Sequence, residues 1–225
     1  MTLTASTNVM KKLSSKNIVS PKGFKAAGIH CGLKHKKKDL AILVSDVPAS
    51  VAGVFTTNAV QAAPLKVTKE VVYTTKKMQA MIVNSGNANA CTGKQGVKDA
   101  QTMQALTAEK LGIAANLVGV CSTGVIGEVM NMEPVASGIS QLQPKDCLES
   151  AIDFAQAIMT TDTVMKNTSY STIIDGKEII IAGVAKGSGM IEPNMATMLG
   201  FITTDANIES HVLQAALSDI TNLTF

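Results

Sequence analysis

The sequence contains no tryptophan and few other aromatic residues, which together make up 3% of its 225 positions. Large aromatic side chains therefore cannot dominate its core. Hydrophobic residues nevertheless account for 46% of the chain, and 12 residues are methionine. A chain of this length can bury a sizeable core in one or two domains. We expect that core to consist of closely packed alanine, valine, isoleucine, leucine and methionine side chains.

The sequence also lacks the segments that direct a chain to or across a membrane. No apolar run approaches the roughly 18 consecutive residues that a membrane-spanning helix requires. Residues 1–12 do not show the charged and then apolar order of a secretory signal. They contain no arginine, in which mitochondrial presequences are rich. We therefore predict a cytoplasmic protein with no membrane partner.

Arginine is absent from the whole chain, and the net charge is only +3. This is too small a positive charge to indicate nucleic-acid binding. The one dense basic run, residues 34–38 (KHKKK), precedes a probable strand. We favour a solvated hairpin tip for this run over the alternative, a site for a phosphorylated ligand such as coenzyme A.

Metal-binding and disulfide patterns are missing as well. The four cysteines are widely scattered and form no C-x-x-C pair: Cys31, Cys91, Cys121 and Cys147. His30, Cys31 and His35 lie close together in sequence but lack a fourth partner at the spacing of a zinc site. Reduced thiols in a protein without a bound metal are the expected state.

Short apolar runs alternate with glycine-rich turns and a few helical patterns, which is typical of a mixed α/β chain. Apolar runs predict strands at residues 40–44, 51–56, 80–83, 118–121, 178–184 and 199–202. Asp175-Gly176 suits a type I′ turn, so residues 171–174 and 178–184 are expected to form an antiparallel hairpin. Apolar stripes at helical spacing predict helices at residues 94–111, 146–159 and 208–223.

A threonine that directly follows a small alanine ends the glycine-rich loop within residues 186–200. A threonine hydroxyl is a useful nucleophile only when a base removes its proton, and an N-terminal threonine's own α-amine can be that base. If Thr197 Oγ attacks the carbonyl of Ala196, the peptide becomes an ester, and hydrolysis leaves Thr197 at a new N-terminus. Its α-amine would titrate near roughly 7.7–8.0, close to neutrality. The composition alone favours the simpler interpretation, a buried strand after a loop.

This segment resembles the cleavage motif of the ornithine acetyltransferase family (glutamate N-acetyltransferase, the ArgJ proteins). Four further segments resemble the family in order and spacing, and they lie at residues 53–58 (GVFTTN), 84–93 (NSGNANACTG), 122–127 (STGVIG) and 160–163 (TTDT). The similarity extends through essentially the whole chain. The resemblance implies a layered α/β (α+β) fold of mixed sheet and helices. This is the fold of the self-cleaving N-terminal-threonine enzymes of the ArgJ and DmpA-like type. Strands from both cleaved parts are expected to share one core.

The resemblance also implies an activity. Thr197 would take the acetyl group of N2-acetyl-L-ornithine as an ester, release ornithine and pass the acetyl group to L-glutamate. This exchange regenerates N-acetylglutamate for arginine synthesis without a dissociable cofactor or metal, and acetyl-CoA is a possible alternative donor. The implied partners are these substrates and an assembly of two alpha and two beta chains, with no nucleic acid.

The segment after the predicted strand at residues 118–121 suits the stabilisation of an oxyanion. Acyl transfer passes through a tetrahedral oxyanion, which a hydroxyl and a closely approaching backbone N–H can stabilise. Thr123 offers the hydroxyl and Gly124 the amide, and the resemblance makes them the oxyanion hole. Residues 84–89, with their small side chains and amides, are expected to support the site structurally.

Two further residues are substrate contacts by resemblance, in addition to Thr197. They are Thr160, after the second predicted helix, and Lys186, at the start of the glycine-rich loop. Thr161 is close enough that the choice between the two threonines stays open. A phosphate-binding loop is excluded because the glycines lie on the wrong side of Lys186. Residues 119–124 miss the spacing of a serine-hydrolase elbow by one position.

Cleavage would divide the chain into an alpha part, residues 1–196, and the beginning of a beta part, residues 197–225. The resemblance implies that family members continue for nearly as many residues again, so we expect the remainder of the beta part to be absent here. Two other hypotheses stay open. One is an N-terminal-threonine amidohydrolase, in which water resolves the acyl-enzyme, and the other is an inactive fragment that only associates with a complementary chain.

Overall fold

The computed structural model describes residues 10–187 and 198–224. In these ranges the chain forms two four-stranded sheets and several helices. The strands are β1 (Lys11–Lys12), β2 (Phe24–Ile29), β3 (Leu40–Ser50), β4 (Lys77–Asn87), β5 (Val118–Val125), β6 (Lys166–Ile174), β7 (Lys177–Lys186) and β8 (Leu199–Thr204). The α-helices are α1 (Ala63–Glu70), α2 (Gly93–Leu111), α3 (Met132–Gln141), α4 (Leu148–Ile158) and α5 (Ser210–Thr224).

The first sheet has the strand order β2-β3-β4-β5 and is buried on both faces. Successive side chains of a strand point to opposite faces. In β3, Leu40 and Ile42 therefore pack with the helices α1, α2 and α3, whereas Ala41 and Leu43 pack with α4. Burial of both faces explains why this strand is a continuous apolar run in the sequence. The layered mixed fold predicted from the sequence is confirmed.

The second sheet has the order β1-β6-β7-β8, and its strand pairs are antiparallel. Asp175 and Gly176, between β6 and β7, both have positive φ values, of 49° and 73°. Positive φ at both central residues is the requirement of a type I′ turn, so the predicted hairpin is confirmed. β8 follows Thr197 along the chain and pairs with β7, with Leu199 opposite Lys186.

Helix α4 fills the space between the two sheets. Its Phe154 is fully buried and contacts Phe201 of β8 edge to face, with ring centroids 5.5 Å apart. The helix approaches β2 at Gly28, where an added Cβ would collide with the backbone carbonyl of Asp153 and lie 2.9 Å from the nitrogen of Phe154. A side chain at position 28 would therefore push the helix away from the sheet.

The substitution Gly28→Ala is expected to destabilise the fold by about 1–3 kcal/mol or more, because backbone atoms of α4 must move to admit the methyl group. Gly183→Ala is the matched control in the other sheet, since its Cβ would meet its nearest neighbour, the oxygen of Phe201, at 3.7 Å. Urea unfolding measures both variants. Equal losses of stability in the two variants would contradict the close approach of α4 to β2.

The prediction of a strand at residues 51–56 is wrong. The β3–β4 ladder ends where Ser50 pairs with Lys77, and the following residues take no regular structure. The backbone N–H and C=O of Gly53 are bound instead by the side-chain amide of Gln214, at 3.0 and 3.1 Å. A side chain from α5 thus satisfies polar groups that a neighbouring strand would otherwise have to satisfy.

Four of the strands and α-helices given above were not predicted from the sequence, namely β1, β2, α1 and α3. β2 is rich in alanine and contains Gly28, so its strand propensity is low. α3 contains Pro134 and Gly138, which lower helix propensity. Its N-terminus is fixed by Asn131, whose side chain accepts a hydrogen bond from the N–H of Glu133. Packing against the first sheet overrides these weak local preferences.

Candidate active site

The two residues predicted to stabilise an oxyanion lie at the end of β5. β5 runs parallel to β4, with Thr123 opposite Ser85 and Gly124 opposite Gly86. Thr123 is buried, whereas Gly124 is exposed. Gly124 has a φ of 133°, and an added Cβ would lie 2.6 Å from the nitrogen of Asn87. Only glycine fits this conformation and this close approach of two backbones.

A buried hydrogen-bond network supports this end of β5. The Ser122 hydroxyl donates to the side-chain oxygen of Asn84 at 2.5 Å. The Asn84 amide donates to the carbonyl of Asn87 at 2.8 Å. Asn84 has no solvent exposure, and both the oxygen and the nitrogen of its side-chain amide are hydrogen-bonded. The network holds Ser122, the residue before Thr123, against the end of β4, as a structural role for residues 84–89 would require.

The end of β4 connects this region to two other parts of the chain. The Ser85 hydroxyl donates to the carbonyl of Ala157 in the last turn of α4. An added Cβ at Gly86 would lie 3.2 Å from the carbonyl oxygen of Leu33, in the loop between β2 and β3. The oxyanion-hole candidates therefore lie beside the C-terminus of α4 and beside this loop.

Thr160 lies just beyond the C-terminus of α4, which ends at Ile158. Thr160 is half-buried, whereas Thr161 is exposed. The neighbouring carboxylate of Asp162, whose side chain is 3% exposed, accepts hydrogen bonds from the N–H of Thr160 at 3.3 Å and of Gly187 at 2.8 Å. The structure thus ties Thr160 to the end of β7.

Asp162 also forms an ion pair with Lys166, with a nitrogen-to-oxygen distance of 2.6 Å. Burial of Asp162 opposes its ionisation. The Lys166 ammonium and the N–H groups of Gly187 and Thr160 outweigh that effect and hold the pKa of the carboxyl below its ordinary value. Asp162 is therefore a buried carboxylate that stays ionised at neutral pH.

Lys186 is the last residue of β7 and is 5% exposed. Its ammonium donates to the carbonyl of Gly187 at 2.9 Å. Burial lowers the pKa of Lys186, the nearby Asp162 opposes that shift, and Lys166 adds to it. A buried cation of this kind can bind a substrate carboxylate strongly, because little water competes for it.

Lys34 is a member of the site that the sequence did not reveal. Lys36 and Lys37 of the same basic run are exposed, as a solvated hairpin tip requires, but Lys34 is half-buried. Its ammonium donates to the carbonyls of Met159 at 2.5 Å and of Lys38 at 2.9 Å. The only nearby sign in the sequence that Lys34 is not solvated was Asp39, the aspartate that follows the basic run. This residue is buried and accepts a hydrogen bond from the backbone N–H of Lys34.

Contacts of Ser85 and Asp162 connect the ends of β5, α4 and β7, which carry four of the predicted site residues, Thr123, Gly124, Thr160 and Lys186. Ala196 and Thr197 lie outside the described residues. The described chain resumes at position 198, and Leu199 pairs with Lys186. The two strand ends that flank the glycine-rich loop are therefore neighbours at this region.

The described part of the chain lacks metal-type clusters, disulfides and membrane-spanning helices. Residues 10–187 and 198–224 hold no cluster of three or more histidine, cysteine, aspartate or glutamate side chains placed to bind a metal ion. All four cysteines are unpaired. No helix in these two ranges is both long enough and apolar enough to cross a membrane.

The sequence is similar to one protein family and to several known proteins. The model of the ArgJ family matches residues 25–225. The arginine biosynthesis bifunctional protein ArgJ of Halalkalibacterium halodurans is 58% identical over 218 residues, which are 97% of this chain and 53% of that protein. The ArgJ protein of Geobacillus kaustophilus is 54% identical over 225 residues, which are 100% of this chain and 55% of that protein. The chain thus spans about half the length of these curated relatives.

Two crystal structures resemble the fold closely. The ArgJ protein of Bacillus halodurans superposes with a TM-score of 0.82 at 54% identity, over 86% of this chain and 100% of the solved chain. The ornithine acetyltransferase of Mycobacterium tuberculosis, solved in complex with ornithine, gives a TM-score of 0.75 at 35% identity, over 85% of this chain and 100% of the solved chain.

Proposed function

Because the chain belongs to the ArgJ family, we propose that it forms part of an acetyltransferase that moves the acetyl group of N2-acetyl-L-ornithine to L-glutamate. The observation that carries this proposal is a set of contacts around α4. Thr123 lies opposite Ser85, whose hydroxyl binds the last turn of α4. Asp162 joins Thr160, just beyond that helix, to Gly187, the neighbour of Lys186. A solved relative at 35% identity is an ornithine acetyltransferase in complex with ornithine, which supports the same substrate class. The names of the curated relatives place them in arginine biosynthesis.

The proposed reaction begins with cleavage between Ala196 and Thr197, which divides the chain into residues 1–196 and 197–225. The free α-amine of Thr197 then removes the proton of Oγ as Oγ attacks the acetyl carbonyl. The amide C–N bond breaks, and the proton passes to the departing amine. Ornithine leaves, and the acetyl group stays on Thr197 as an ester. In the second step the amine of glutamate attacks the ester and gives up a proton to the α-amine of Thr197. The C–O bond then breaks, and that proton passes to Oγ.

Residues of the described site are assigned the two remaining roles, oxyanion stabilisation and substrate binding. The Thr123 hydroxyl and the Gly124 N–H would donate to the oxyanion of both tetrahedral intermediates, each contributing about 2.7–4 kcal/mol. Lys186, a buried cation, would bind a substrate carboxylate, with Thr160 beside it. No step of this scheme needs a metal or a dissociable cofactor.

The proposal includes the partners that the family resemblance implies. These are two alpha and two beta parts in one assembly, and acetyl-CoA as an alternative acetyl donor. The cytoplasmic location predicted from the N-terminal residues is also part of the proposal. Native mass spectrometry of the purified protein would measure the assembly, and acetylation of glutamate with acetyl-CoA as the only donor would test the second substrate.

The central test is release of ornithine from N-acetylornithine with and without glutamate. It uses the chain as it stands and a second version continued by the remaining part of the Geobacillus kaustophilus relative. We expect ornithine and N-acetylglutamate to appear in equal amounts, and release without glutamate to stop after one turnover. Unchanged release without glutamate, with acetate as the product, would instead identify an amidohydrolase. Turnover by the extended version alone would identify the 225-residue chain as an inactive fragment.

A further inference from the structure

Two charged side chains hold opposite ends of a single peptide unit at the candidate active site. The carbonyl of Met159 accepts from the ammonium of Lys34 at 2.5 Å. The N–H of Thr160, which belongs to the same peptide, donates to the carboxylate of Asp162 at 3.3 Å. A peptide unit is planar, so binding its oxygen and its nitrogen fixes the orientation of the whole plane. Hydrogen bonds to ionised groups are also stronger than neutral ones.

This peptide needs such partners because of where it lies. The last carbonyls of a helix have no partner within the helix, and α4 ends one residue before Met159. A positive charge is favourable at that end of a helix. Lys34 supplies the charge from a loop that lies 125 positions away in sequence. The orientation of Thr160 therefore depends on a contact between distant parts of the chain.

Asp162 extends the same arrangement to the other substrate-contact candidate. Its second carboxylate oxygen accepts from the N–H of Gly187 at 2.8 Å and from Lys166 at 2.6 Å. Gly187 directly follows Lys186 in the chain. One buried carboxylate therefore fixes both the segment that carries Thr160 and the strand end that carries Lys186.

We propose that Lys34 and Asp162 are positioning residues, which hold the Met159–Thr160 peptide from its two sides and so set the geometry of Thr160 relative to Lys186. The role of Thr160 and Lys186 as substrate contacts rests on the proposed function. The holding of the peptide does not, since it follows from the hydrogen bonds alone.

The ionisation of Lys34 makes this arrangement sensitive to pH. Burial lowers the pKa of Lys34 to about 8. Asp39 and Asp162 oppose that shift, and Lys37 and Lys186 add to it. Lys34 is therefore charged below about pH 8 and loses its charge as the pH rises through that value. The hydrogen bond to Met159 should weaken over the same range.

The test compares the parent chain with Lys34→Met, Lys34→Arg and Asp162→Asn. Lys36→Met is the matched control, because Lys36 belongs to the same basic run but is exposed. Two-dimensional NMR follows the Thr160 amide in each protein from pH 7 to 9.5. We expect its resonance in the parent to titrate with a midpoint near 8, and this titration to vanish in Lys34→Met and Lys34→Arg. We also expect its hydrogen exchange to accelerate about tenfold in both Asp162→Asn and Lys34→Met. The first weakens the bond to the Thr160 N–H itself, and the second releases the carbonyl of the same peptide.

A kinetic arm measures the KM for N-acetylornithine in the extended version of the protein. We expect KM to rise about tenfold in Lys34→Met, with a smaller change in kcat. In Lys34→Arg we expect a KM close to that of the parent. The parent's KM should increase above pH 8, whereas that of Lys34→Arg should not, because arginine stays charged. The arginine variant thereby separates Lys34 from the α-amine of Thr197, which titrates in the same range.

These measurements distinguish failure of the inference from failure of the proposed function. If the parent releases no ornithine while the Thr160 amide responds as expected, the peptide is held as described and the proposed function falls. If the amide of Lys34→Met behaves like that of the parent and of Lys36→Met, the inference is overturned whatever the activity. An altered amide with unchanged KM would overturn the positioning of a substrate contact. If Lys34→Met does not fold, the titration of the Thr160 amide in the parent and in Lys34→Arg tests the inference. A titration that persists unchanged in Lys34→Arg would overturn it.

Discussion

Replacing Thr197 with alanine is expected to leave the chain in one piece and to abolish acetyl transfer. The substitution removes the hydroxyl that both proposed reactions require, so neither ester can form at position 197. Loss of a catalytic nucleophile commonly lowers kcat by about 10⁴-fold or more. Intact-mass spectrometry of the extended version should show two parts divided between Ala196 and Thr197 in the parent and a single uncut chain in the variant.

Thr197→Ser is the control for this experiment. It keeps a hydroxyl and, after cleavage, an α-amine, so cleavage and transfer should both persist at a reduced rate. Cleavage of Thr197→Ala at the same bond would show that another protein or another residue cuts the chain. That result would remove Thr197 as the nucleophile of the first reaction.

The second large effect is expected at Gly124, whose amide is proposed to stabilise the oxyanion. A methyl group there would lie 2.6 Å from the nitrogen of Asn87, and the φ of 133° is unfavourable for any other residue. Gly124→Ala should therefore cost about 1–3 kcal/mol for the forced contact and about 1–2 kcal/mol for the backbone conformation. Displacement of the amide should lower kcat by about 10²–10³-fold.

Gly127→Ala is the matched control, because Gly127 also has a positive φ, of 87°, but an added Cβ would meet no atom within 4 Å. It should show the conformational cost of about 1–2 kcal/mol alone and retain the transfer rate. Urea unfolding and ornithine release measure the two effects separately. Equal stability and equal rates in the two variants would count against the close approach of β5 to β4 and against the oxyanion role of Gly124.

Elements with a strong local pattern were predictable from the sequence. The hairpin between β6 and β7 was found because Asp175-Gly176 suits positive φ at both turn positions. The strand at residues 51–56 was predicted wrongly from an equally apolar run. Its backbone polar groups are bound by Gln214 of α5, 161 positions away from Gly53. An apolar run indicates burial, but it does not say which partner satisfies the backbone.

The candidate site likewise contains residues that the sequence predicted and one that it did not. Thr123, Gly124, Thr160 and Lys186 were predicted from motifs and from family resemblance. Lys34 was missed because a run of lysines is typical of a solvated surface. The choice between Thr160 and Thr161 was open in the sequence, and the structure shows Thr160 half-buried and Thr161 exposed. Burial of one member of a polar run depends on what packs over it.

Local sequence patterns predicted the features that depend on neighbouring residues: the threonine after Ala196, the glycine beside Thr123, the hairpin turn and the apolar runs of the strands. Which distant groups meet depends instead on how the whole chain packs. Gly28 lets α4 approach β2, and the C-terminus of that helix then lies where the ammonium of Lys34 can bind Met159. Local patterns depend on residues within a few positions, whereas this contact joins groups 125 positions apart and forms only when the core packs.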